Sequence, residues 1–253
     1  MPEDRIVGRP SYARDMTRSA PAGWTASLAL QRERLDVGST SERVAGLLRT
    51  QVLDGTLRPG VQLTEEQLVE ALGVSRNTIR EALQRLSAQR LVEHQRHRGV
   101  FVRRLGRDDL ADLCGLRRAL ECGALREAAE RGTAAPDAVI AVVEAAREGE
   151  RAAAADDWDG AGTANASVHL ALAALAANSR IDEEMRGVVA ELRLAFVVLP
   201  DARAMHEPYV ARNVALADLV AAGDLAAAAD ALDTYLRDAE AHLLDAYGQA
   251  LDA

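Results

Sequence analysis

The chain has 253 residues, 49% apolar and 27% charged, which is enough to bury a sizeable core and excludes a compositionally disordered protein. No run approaches the roughly 18 apolar residues of a membrane span. No basic-then-apolar segment marks a secretory signal, and two cysteines cannot frame a disulfide-rich fold. If Cys114 and Cys122 share a helix they stand about 12 Å apart, too far to bridge, and a reduced, cytoplasmic setting is the expectation. The net charge of −9 is unevenly spread, and every basic residue is Arg. Residues 1–38 hold 6 Arg against 5 acids, residues 39–105 hold 11 against 7, and residues 106–253 hold 13 against 27. The mildly basic segment is therefore the one expected to meet a polyanion.

Residues 1–38 scatter Pro, Gly, Ser and Arg with no apolar period. They read as a disordered arm, either inert or touching phosphates through Arg5, Arg9, Arg14 and Arg18. Order is expected from Ser39, which has capping-box spacing to Glu42. Val44, Leu47, Leu48 and Val52 follow helical period to about Asp54, and Gly55 with Pro59-Gly60 turns the chain. Thr64 and Gln67 repeat the capping spacing before Leu68, Val69 and Leu72, and Gly73 suits a left-handed helix end. Ser75 then caps a third helix with Ile79, Leu83 and Leu86 on its inner face. Two helices separated by Gly73-Val74 alone must cross steeply, which is the helix-turn-helix pattern. Leu91 to His94 and Val100 to Val102 read as a small β-hairpin, a wing, with Arg96, His97, Arg98 and Gly99 at its tip.

Helices are predicted near 108–131, 136–155, 158–177, 180–199, 205–222 and 224–247. The first carries Leu110, Leu113, Leu116, Leu120 and Leu125. The last carries Leu225, Leu232, Leu236, Leu243 and Tyr247, and both read as stripes of an antiparallel bundle. The fold class is thus mostly α: a winged helix-turn-helix of three helices plus a small hairpin over 39–105, then an all-α bundle over 106–250.

The run Gly73 to Leu83 carries the chemistry. Arg76 and Arg80 are four residues apart, so they share a helix face opposite Ile79 and Leu83. A helix fits the major groove, where an Arg can donate two hydrogen bonds to guanine. Ser75, Asn77 and Thr78 sit beside the helix N-terminus, which favours a phosphate.

The stretches Gly55 to Thr64, Gly73-Val74-Ser75-Arg76, Ile79 to Leu83, Leu91-Val92 and Arg98 to Val102 resemble the winged helix-turn-helix of GntR-family transcription regulators. The resemblance implies DNA contacts from Arg76, Asn77, Thr78 and Arg80, and a wing tip, Arg96 to Gly99, in the minor groove. Glu66 departs from it, standing where some relatives place a DNA-touching Arg. The second part resembles the FCD domain of the FadR-like branch, through Leu116 to Glu121, Asn165 to Asn178 and Ala221 to Asp224. That resemblance implies a pocket for a small organic acid or other metabolite, often with a divalent metal on one Asp and three His. Here those positions are Asn165, His169, Asn213 and Tyr235. A neutral amide and a phenol are poor exchanges for a carboxylate and an imidazole, so no tight metal and no cofactor are expected, with His169 the one ligand retained. His206 and His242 lie seven residues from Asn213 and Tyr235, about 10 Å along a helix, so His169 could not join a site displaced onto them.

Arg117, Asn165, His169, Asn213 and Tyr235 form the expected effector site for a polar or anionic small molecule. The bland alternative for Arg117 is an intrahelical pair with Glu121. One reading helix specifies few base pairs, so a homodimer on a palindromic operator is expected, with effector binding altering the spacing of the two winged domains. Repression is the usual sense in such a family. No enzyme motif appears. The alternative is a DNA binder whose vestigial bundle holds no ligand.

Overall fold

A computed structural model describes residues 39–252, and the arm expected at residues 1–38 lies outside the described residues. Ser39 Oγ accepts the Glu42 amide at 3.3 Å while the Glu42 carboxylate takes the Ser39 amide at 3.2 Å, so the expected capping box starts helix α1, Thr40–Leu53. Thr64 opens α2, Glu65–Leu72, by accepting the Gln67 amide. Its own hydroxyl donates to Gln67 Oε1 at 2.8 Å, so the second box closes through the side chain. Gly73 ends α2 at φ 65°, a left-handed turn that lacks Cβ strain only for glycine. Ser75 Oγ accepts the Thr78 amide at 3.1 Å and starts α3, Arg76–Ala88.

The wing gains one strand that periodicity could not announce. The two-residue β1, Gln62–Leu63, pairs antiparallel with β3, Gly99–Val102, which also pairs with β2, Val92–Gln95, giving the order β1-β3-β2. Val44, Leu48, Leu68, Leu72, Ile79, Leu83, Leu86 and Val102 bury the core of this part. Removing such apolar area from water stabilises by roughly 25 cal/mol per Å².

Six helices follow: α4 Arg107–Arg131, α5 Pro136–Ala154, α6 Trp158–Ala174, α7 Ser179–Phe196, α8 Ala202–Ala221 and α9 Leu225–Asp252. Asp157, Asn178, Asp201 and Asp224 lend side-chain oxygens to the amides that open α6 to α9. Helix α4 packs on α6, α7 and α9, and α8 packs on α5, α6 and α9. Small residues let α5 and α6 approach closely, as at Gly149 beside Ala164.

The expected stripe on α4 needs correction. Leu116 is 38% exposed and Leu120 only half-buried. The buried face runs through Leu110, Leu113, Cys114, Arg117, Glu121, Leu125 and Ala128, so an ion pair occupies two core positions. Both cysteines are free and buried, and burial pushes each thiol up to about 11. No described helix is long and apolar enough to cross a membrane.

Candidate functional site

The outer face of α3 presents Arg76, Asn77 and Arg80 to solvent, while Ile79, Ala82, Leu83 and Leu86 anchor the inner face. Arg76 has no protein partner among the described residues. Arg80 donates from Nε to Glu65 Oε1 at 2.8 Å, which leaves both terminal nitrogens available. Asn77 donates to Glu81 at 2.8 Å. Ser75 and Thr78 share a hydroxyl contact of 2.8 Å in addition to the cap, so these two hydroxyls chiefly shape the helix start.

At the wing tip Arg96, His97, Arg98 and Gly99 are all exposed. His97 is left-handed at φ 61° and Gly99 sits at φ 102°. Gln62 on β1 donates to the Arg98 carbonyl at 2.7 Å, so the added strand pins the tip. The Arg98 guanidinium lies 5.5 Å from the centre of the Phe101 ring. Sequence reasoning missed Gln62, Glu65 and Glu81, since contacts between elements leave no local period.

The five residues expected around an effector do gather, and Glu121 joins them. Arg117 Nε donates to Glu121 Oε1 at 2.7 Å, and His169 Nδ1 meets Glu121 Oε2 at 2.6 Å. His169 Nε2 lies 3.3 Å from the Tyr235 hydroxyl, which donates to Asn165 Oδ1 at 2.9 Å. Asn213 donates to the same Asn165 oxygen at 2.8 Å. This chain of contacts ties α4, α6, α8 and α9 together through side chains. The sequence signal for Glu121 was its spacing of four from Arg117 along the buried face of α4.

Burial opposes ionisation of Glu121, but His169 and Arg117 outweigh it and hold its carboxyl below the ordinary range. Burial, reinforced by Arg117, pushes His169 below its ordinary value, so the imidazole is neutral near pH 7 and donates its Nδ1 proton to Glu121. Burial raises the Tyr235 phenol, which therefore stays protonated. Arg117 Nη2 is buried with no partner among the described residues.

A small cavity of about 20 Å³, room for one or two waters, lies against this network. Arg117, Asn165 and Tyr235 form its polar end, with Phe196, Met205 and Leu243 among its apolar walls. His206 lines it 5.5 Å from Phe196, and burial brings its imidazole down to about 4. His242 Nδ1 faces the Tyr209 hydroxyl at 3.2 Å. Among the described residues no three of His, Cys, Asp and Glu gather at metal-binding distance. The donor set around His169 does not fit a divalent ion, because beside the imidazole Nε2 it offers only two neutral amides and a protonated phenol.

A reading helix with a pinned wing, joined to a helical bundle with a polar buried centre, is the architecture of a DNA-binding regulator with a sensor domain. Residues 40–102 match the family of bacterial regulatory proteins called the gntR family, and residues 112–238 match the FCD domain. The chain belongs to the GntR family of transcription regulators, with an FCD domain as its second part. It is 30% identical over 168 residues to the Nta operon transcriptional regulator of Aminobacter aminovorans, covering 64% of this chain and 76% of that protein. It is 40% identical over 99 residues to the HTH-type transcriptional regulator BphR of Paraburkholderia xenovorans, covering 39% of this chain and 40% of that one. The crystal structure of a GntR transcriptional regulator from Rhodococcus sp. RHA1 matches with a TM-score of 0.75 at 45% identity, over 83% of this chain and all of that chain.

Proposed function

We propose that this regulator represses transcription in the cytoplasm as a homodimer on a palindromic operator, and that a small polar or anionic metabolite in the helical domain releases it without a metal. The observation that carries the DNA reading is the unpartnered Arg76 one turn from Arg80, on the exposed face of a helix whose other face is fixed in the core. Arg76 and Arg80 are the base readers, Asn77 and Thr78 flank them, and Arg96 to Gly99 reach along the backbone. Two half-sites follow from the few base pairs one helix can read.

Selection from randomised duplex DNA tests this reading. Palindromic sites should emerge, and Arg76→Ala should relax one guanine position by about 1–3 kcal/mol. Equal loss on every sequence would remove Arg76 from the readers.

The small size of the cavity favours a second reading, in which the bundle binds no ligand and serves assembly alone. Thermal unfolding across a metabolite series separates the two, because a ligand of the native state stabilises by RT ln(1 + [L]/Kd).

A further inference from the structure

Arg76 and Arg80 lie one turn apart on the exposed face of α3, yet they are not equivalent. Arg76 has no protein partner among the described residues. Arg80 is tied across the helix-turn-helix to Glu65, the first residue of α2, with its Nε 2.8 Å from Glu65 Oε1. The two side chains are 62% and 35% exposed. An ion pair this open to water adds little stability, so its consequence lies in where it points the guanidinium.

A guanidinium has two edges that can donate a parallel pair of hydrogen bonds. One edge carries Nε and a terminal nitrogen, and the other carries both terminal nitrogens. Glu65 holds the Nε–H, so the first edge of Arg80 is occupied. The end-on edge, Nη1 with Nη2, is the one left for O6 and N7 of a guanine. An untethered arginine gives up rotamer freedom when it docks on a base. In Arg80 part of that freedom is already lost, and the fork is aimed before DNA arrives. The same carboxylate repels phosphates, so it lowers affinity for every duplex alike.

We propose that Glu65 is a positioning residue for base reading: it holds Arg80 end-on towards a single guanine, raising selectivity at that position while lowering general affinity for DNA. The inference rests on the reading of Arg80 as a base reader. Arg76, which has no such brace, is the comparison within the same helix.

The test titrates the full chain on the tightest duplex selected from randomised DNA, on copies with each base pair replaced in turn, and on scrambled duplexes. Arg80→Ala locates the guanine that Arg80 reads. Glu65→Ala should lower the preference for that same guanine by roughly five-fold or more and leave the other positions, that of Arg76 included, unchanged. It should also raise affinity for scrambled duplexes by about two- to five-fold, since one negative charge leaves the face that meets the phosphates. Glu65→Gln keeps an acceptor for the Nε–H, so it should bind scrambled duplexes as well as Glu65→Ala does yet retain more of the guanine preference. An unchanged or sharper preference in Glu65→Ala overturns the proposal, because Glu65 would then be idle or a competitor of DNA for Arg80. Equal loss at all positions overturns it too, since Glu65 would then only hold the two helices in place. A preference in Glu65→Gln as low as in Glu65→Ala overturns the hydrogen-bonded tether. If Arg80→Ala relaxes no position, the reading of Arg80 falls and the proposal falls with it. If Arg80→Ala relaxes a guanine and Glu65→Ala does not, the proposal alone falls.

Discussion

Arg103, just beyond the wing, and Glu191, on α7 of the bundle, meet at 2.6 Å across the boundary between the two halves of the molecule. Glu191 is 4% exposed, and Arg90 approaches its other oxygen at 3.4 Å. Asp109 shares Arg103 at 2.7 Å. Burial pushes the Glu191 carboxyl above its ordinary value, while Arg103 and Arg90 pull it back.

The two partners of this pair should not be equivalent. Arg103→Ala leaves a buried carboxylate with the longer Arg90 contact alone, and should cost about 3 kcal/mol. Glu191→Gln leaves Arg103 with Asp109 and a route to water, and should cost about 1 kcal/mol. Denaturant midpoints of the two variants at constant slope check the order, and equal losses would contradict it.

Gly162 on α6 stands against His206 on α8. A Cβ at position 162 would sit 2.5 Å from the imidazole Nε2. Gly162→Ala should therefore cost about 1–3 kcal/mol by overpacking the cavity wall. The double variant with His206→Ala should recover most of that loss. A double-mutant cycle showing simple additivity would mean that the ring moves aside freely.

Acid should weaken the fold through its two buried histidines. His206 has a folded pKa of about 4 against an ordinary 6.5, and His169 shifts the same way. For a lowered histidine the unfolded chain takes up the proton first. The stability is whole above pH 6.5 and is lost as pH falls towards the folded value, for His206 by about 1.4 kcal/mol per pH unit, with His169 acting in the same direction. Glu121, held below its ordinary 4.5, keeps its contribution whole down to about pH 4.5 and loses it as pH falls on towards its lower folded value. Melting temperatures between these pH values should slope less steeply in His206→Gln than in the parent.

Arg98 and Arg76 should separate by their salt dependence. Arg98→Ala should weaken all duplexes alike and reduce the slope of log affinity against log salt by about 1, as expected for one lost phosphate contact. Titration of selected and scrambled duplexes at several salt concentrations reads this directly. A sequence-selective loss would place Arg98 on a base edge instead.

Much of the fold was legible because it is written locally. Ser39, Thr64, Ser75 and Gly73 mark helix ends through their own backbone contacts, and the stripe on α9 from Leu225 to Tyr247 keeps its period. The helix α4 misled in a specific way. Leu116 and Leu120 look like core by composition, yet Arg117 and Glu121 take the inner positions because each satisfies the other and His169 completes the set. Hydrophobicity alone cannot rank a paired charge above a leucine. Strand β1 and the contact between Glu65 and Arg80 escaped because their partners lie many residues away. The five effector-site positions came from family resemblance, and their gathering around Glu121 required the packing of four helices.

Arg90 joins the two halves. Arg90 sits between the reading helix and the wing with a left-handed φ of 56°, a posture that disfavours side chains with a Cβ by roughly 1–2 kcal/mol. Its guanidinium grips Glu191, on the same rod that carries Phe196 to the cavity wall. A strained turn of the DNA-binding half and a buried carboxylate of the helical half thus meet in one contact.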